Sequence, residues 1–151
     1  MGTRIDPEPK VLPVVETALN ETRINGMELF EIDVDPAFDA GAGTFVRCRY
    51  GLLRIVCGDH AGWGSCTLSA AGHRFDIVRW ASYLHRLKPM TVGEAIEYAE
   101  RERGCWGACK SDLVLEALSD LKSNAGNNRF GNSEEPASIM KHATAYYSVL
   151  Y

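Results

Sequence analysis

Gly58-Asp-His-Ala-Gly-Trp-Gly-Ser65 decides the fold. The apolar run Leu52-Leu-Arg-Ile-Val-Cys57 leads into it. Gly58 tolerates a positive φ and Asp59 bonds its own backbone, so the pair predicts a turn. The chain then returns through a short strand around Trp63, which makes a β-hairpin signal. Upstream, Thr22 to Val34 reads as the first long strand, because Phe30, Ile32 and Val34 alternate with Glu31 and Asp33. Asp35 to Thr44 (DPAFDAGAGT) holds Pro36 and two glycines and reads as a loop. Phe45 to Cys57 is the second strand, interrupted at Gly51, where a bulge or a close backbone approach is expected. Three antiparallel strands in a meander follow from this pattern.

The period then changes. Ile77, Trp80, Leu84 and Leu87 fall on one helical stripe, with Phe75, Val78 and Ala81 beside it. This predicts a helix over Arg74 to Leu87, ended by Lys88-Pro89. Thr91-Val-Gly-Glu94 fits a capping box and opens a second helix through about Arg103. Gly104-Cys-Trp-Gly107 breaks it. Ser111 suits the N-cap of a third helix, with Asp112 at its positive end and Leu113, Val114, Ala117, Leu118 and Leu121 inward. Ser123 to Lys141 has little apolar content and reads as a linker. Ala143 to Tyr151 is β-branched and aromatic and reads as a strand. The expected class is α+β: a three-stranded antiparallel meander, then a three-helix bundle, then an orphan C-terminal strand. The expected divisions are a Pro-rich arm (1–20), a folded unit (21–122), a linker (123–142) and the last strand (143–151).

Composition limits the function. A chain of 151 residues, 46% hydrophobic and 24% charged, is one soluble domain with a core of its own. A net charge of −4 without a basic block argues against nucleic acid and anionic membranes as partners. No apolar run approaches a membrane span, and the first residues lack the apolar core of a secretory signal, so a cytoplasmic protein is expected. The five cysteines form no disulfide framework. Cys48, Cys57 and Cys66 read as buried apolar groups. Cys105-Trp-Gly-Ala-Cys109 has no second half-site for zinc, and His60, His85 and His142 lack ligand spacing. Trp63, Trp80 and Trp106 read as packing residues. Gly64-Ser-Cys is no nucleophile elbow, and Gly41-Ala-Gly43 is no phosphate loop.

Three segments, in order, resemble the N-terminal capping domain of the enolase superfamily, in its mandelate racemase and muconate lactonizing enzyme branch. They are Gly62-Trp63-Gly64, then Ser111 to Lys122, then Ala145-Tyr-Tyr-Ser-Val-Leu150. The first is similar to the family's G-W-G-E strand, the second to its last capping helix, and the third to the strand that opens its barrel. Ser65 stands at the Glu position of the first. Ala117-Leu-Ser-Asp120 lacks the tryptophan of the family's A-L-W-D element. Asn127-Asn-Arg-Phe-Gly131 and the insert Ser133-Glu-Glu-Pro136 replace the usual barrel-packing linker.

The resemblance implies a lid without the chemistry. Family members remove the α-proton of a carboxylate with a divalent metal, usually magnesium, held at the ends of barrel strands. Such strands would lie past Tyr151, so no catalytic or metal-binding residue carries over, and magnesium is expected only with a complete barrel. The resemblance assigns two substrate-lid loops, Asp35 to Thr44 and Cys66 to His73. Within them Phe38 offers an apolar wall, and Thr67 or His73 a polar contact. The expected function is a stand-alone or truncated capping domain that is not catalytic alone, for which a barrel-bearing chain is one candidate partner. The alternative is a protein-binding or oligomerisation module, a homodimer in which strand 143–151 pairs with another chain.

Overall fold

The computed structural model describes residues 18–39, 44–70, 76–127 and 143–150. Strands β1 (Gly26–Asp39), β2 (Thr44–Cys57) and β3 (His60–Ala70) form the expected antiparallel meander. The β2–β3 turn carries Gly58 at φ +61°, and the Gly58 N–H donates to Asn25 Oδ1 at 3.0 Å. β1 and β2 reach further than the expected loop allows, with Phe38 opposite Phe45 in the ladder. The ladder changes register between Val34 and Ala37. Pro36 has no N–H to donate, so a bulge there lets pairing resume beyond it. β2 and β3 also change register between Arg49 and Tyr50, next to Gly51. A Cβ on Gly51 would lie 3.0 Å from Leu68 Cδ2, so the bulge and the close approach occur together.

The C-terminal strand is not an orphan. β4 (Ala145–Leu150) pairs antiparallel with β1, with Met27 opposite Val149 and Leu29 opposite Tyr147. The sheet is four-stranded, in the order β3-β2-β1-β4. β1 would otherwise present a row of unpaired N–H and C=O groups, and β4 satisfies them while laying Val149 on the apolar face.

Helices cover one face of this sheet. They are α1 (Ile77–Ala81), a 3₁₀ segment (Ser82–Leu87), α2 (Val92–Arg101), α3 (Arg103–Trp106) and α4 (Ala108–Asn127). The first predicted helix thus divides into α1 and the 3₁₀ segment. At three residues per turn, positions three apart stack in one line, and Ala81, Leu84 and Leu87 form such a line, all fully buried. Thr91 and Glu94 make both halves of the capping box at the start of α2. α4 begins earlier than expected. Gly107 takes φ +90°, which breaks the chain direction and lets the helix start at Ala108. Ser111 is therefore no N-cap: it lies inside α4, fully buried. Residues 123–127 of the expected linker are helical. Met27, Leu29, Leu53 and Ile55 of the sheet meet Leu113, Leu118 and Leu121 of α4 in one core. Each such side chain contributes about 2 kcal/mol of transfer free energy.

Candidate functional site

The contact between β3 and α4 organises the motif residues. Gly62 and Gly64 face the helix. A Cβ on Gly62 would sit 2.1 Å from Ala117 O and 2.4 Å from Leu121 N. A Cβ on Gly64 would sit 2.4 Å from Leu113 O. Only glycine lets the two backbones approach this closely. Trp63, between them, lies on the opposite face, where its ring stacks on Phe30 with centroids 5.9 Å apart. Tyr146 of β4 meets the same Phe30 at 5.2 Å.

Side chains of α4 also close the edge of β3. Trp63 N–H donates to Asp120 Oδ2 at 2.8 Å. Asn124 Nδ2 donates to Ala61 O at 3.1 Å and to Asp120 Oδ2 at 3.2 Å. The Asp120 of Ala117-Leu-Ser-Asp120 is thus bonded to the centre of Gly62-Trp63-Gly64. Sequence reading places both segments but not this bond. The signal was present as the four-residue spacing of Asp120 and Asn124, which sets both on one flank of a helix.

The far end of the sheet holds the lid candidates. Thr67 is exposed on β3, and its carbonyl accepts from Cys109 Sγ at 3.6 Å. Phe38 lies within β1 rather than in a loop. His73 lies outside the described residues, so the structure does not bring the three together. Nearby, Trp80, Tyr83, Tyr98 and Trp106 form an aromatic cluster, with Tyr83 and Trp106 centroids 4.8 Å apart. Lys110 Nζ lies 5.3 Å from the Trp80 ring and 5.1 Å from the Tyr83 ring. Asp76, Arg79, Trp80 and Lys110 line a cavity of about 380 Å³. At the opposite end, Arg23, Ile24, Asn25, His85, Lys88 and Pro89 line one of about 530 Å³. His85 there bonds the Tyr147 hydroxyl of β4.

Burial sets the electrostatics. It pushes the Cys57 thiol up to about 11. Burial, reinforced by the neighbouring Cys109, pushes the Cys66 thiol up to about 12. Burial also raises Tyr83. On the sheet, Glu31 pairs with Arg49 at 2.9 Å and Glu28 with Arg54 at 2.7 Å. Among the described residues, no three His, Cys, Asp or Glu side chains gather as a metal site. The donor set that magnesium needs is not assembled by these residues. No described helix is long and apolar enough to cross a membrane.

No family model matches the sequence, and no curated protein matches it. A solved structure assigned to the mandelate racemase/muconate lactonizing enzyme class, from Pseudovibrio sp., is similar to this chain. The two are 18% identical, with a TM-score of 0.46. The similarity covers 68% of this chain and 30% of that one, so it is to a part of that protein.

Proposed function

We propose that this chain is the capping, substrate-lid part of a mandelate racemase-like architecture, with its chemistry carried by a barrel outside these 151 residues. The supporting observation is the seat of Gly62-Trp63-Gly64 on α4, locked by the Asp120–Trp63 bond. Two segments that carry the family resemblance pack into one joint. A lid needs such a joint, because its loops must be aimed from a fixed base. In this reading Thr67 and Phe38 lie on the end of the sheet that meets substrate, and the reacting groups come from the barrel.

A mixing experiment tests it. The chain is added, with magnesium, to a mandelate racemase-like barrel produced without its own cap. Neither part turns over an α-hydroxy carboxylate alone, and the mixture does. Phe38→Ala or Thr67→Ala then raises KM about tenfold, with a smaller effect on kcat. A mixture that neither associates nor gains activity overturns the proposal.

A second reading rests on the two sheet edges. Asp120 and Asn124 cover the edge of β3, whereas β4 is the other edge strand among the described residues and carries no charged residue. An uncharged edge favours pairing with a second copy. Sedimentation at two concentrations distinguishes this dimer from a monomer, and Ser148→Lys on β4 abolishes it.

A further inference from the structure

β3 and α4 run past each other in a regular ladder. Gly62 meets Ala117 and Leu121, and Gly64 meets Leu113 and Ala117. Two residues along a strand advance about 6.6 Å and four along a helix about 6 Å, so the rungs stay aligned. The next rung pairs Cys66 of β3 with Cys109 in the first turn of α4. Cys109 Sγ already reaches the carbonyl of Thr67, the residue after Cys66, at 3.6 Å. The Cys109 thiol is near enough to Cys66 to raise it, and both influence Tyr83. Both are free, Cys109 exposed and Cys66 partly covered.

We infer that Cys66 and Cys109 form a peroxide-responsive thiol pair whose oxidation staples the end of β3 to the start of α4. The chemistry balances with hydrogen peroxide as the oxidant. The exposed Cys109 sulfur attacks one peroxide oxygen, the O–O bond breaks, and water leaves. The product is a sulfenic acid. The Cys66 sulfur then attacks the Cys109 sulfur, the S–S bond forms, and the S–O bond breaks. The departing oxygen takes the Cys66 proton as a second water. Two thiols lose two electrons and two protons, and peroxide becomes two waters. Burial disfavours the Cys66 thiolate, so peroxide meets the exposed Cys109 first, and Cys66 attacks only as its proton passes to the departing oxygen. The staple sits beside Thr67, next to the register change between β2 and β3. This inference does not depend on the lid reading.

The test uses the full chain in native buffer. The protein is treated with hydrogen peroxide, alkylated, digested without reductant and mapped by mass spectrometry. The expected product is a Cys66–Cys109 linked peptide that dithiothreitol cleaves. It persists in Cys105→Ser, disappears in Cys66→Ser, and accompanies a rise in Tm of about 5 °C. If Cys109 is consumed while Cys66 remains alkylatable, or if Cys109 links to Cys105 instead, the inference is wrong.

Discussion

At Gly62 the absence of a side chain is itself structural. The two backbones meet so closely that any Cβ would overlap a helix carbonyl at 2.1 Å. Backbone cannot rotate aside as a side chain does, so β3 or α4 must shift as a whole. Gly62→Ala is expected to cost about 3 kcal/mol or more, at the upper end of overpacking effects. Gly58 differs. Its φ is +61°, and no atom lies within 4 Å of a built Cβ, so Gly58→Ala costs only the left-handed strain, about 1–2 kcal/mol. Gly104 has neither constraint and lies within α3, so Gly104→Ala stabilises by about 0.5 kcal/mol. Urea-unfolding midpoints of the three variants check that order. A Gly62→Ala protein as stable as the parent would mean that β3 and α4 do not touch as described.

Two caps at the scale of elements show what the sequence reveals and where it stops. Thr91 was legible as an N-cap because its partner Glu94 lies three residues away, and all the geometry of a capping box is local. Ser111 has the residue type of an N-cap but not the place of one, because the start of α4 is decided by Gly107, whose positive φ is invisible in a residue pattern. The two serve as opposite predictions. Thr91→Ala removes a bonded cap and costs about 1 kcal/mol. Ser111 Oγ is buried without a hydrogen-bond partner, so Ser111→Ala removes an unsatisfied group and is neutral or stabilising by up to about 1 kcal/mol. Chemical denaturation of both variants decides, and a loss of about 1 kcal/mol at Ser111 would restore its role as a cap. The meander and the apolar face of α4 were legible for the same local reason as Thr91. The pairing of β4 with β1 was not. That strand reads as β-branched and aromatic in any setting, and its partner lies more than a hundred residues away. The lid candidates were legible only through family resemblance, since Thr67 and Phe38 carry no pattern of their own.

At the scale of the molecule, the sheet holds a thiol toward each end, Cys57 buried and Cys66 partly covered. Cys57 closes β2 at the turn end, with its Sγ 3.4 Å from Arg23 O, and Cys66 lies toward the other end of β3. Both titrate well above the ordinary 9.0, at about 11 and about 12, because burial disfavours the thiolate. For an acid raised by folding, the native state holds its proton longer than the unfolded chain. Between pH 9.0 and about 11 the unfolded chain therefore binds fewer protons, and unfolding becomes easier as pH rises. Stability is full below the unfolded pKa and is lost through that window, by about 1 kcal/mol per pH unit for each thiol. Tyr83, also raised by burial, extends the loss in the same direction. Urea unfolding in reductant from about pH 8 to about pH 11 checks this. Cys57→Ala and Cys66→Ala should each flatten the slope by about half between pH 9 and pH 10, even if each lowers the stability at neutral pH. Substitutions at opposite ends with equal effects on one slope would show that the sheet and its helical layer unfold together. A slope unchanged by either would mean that the thiols are as accessible in the folded protein as in the unfolded chain, and that the core does not close over them.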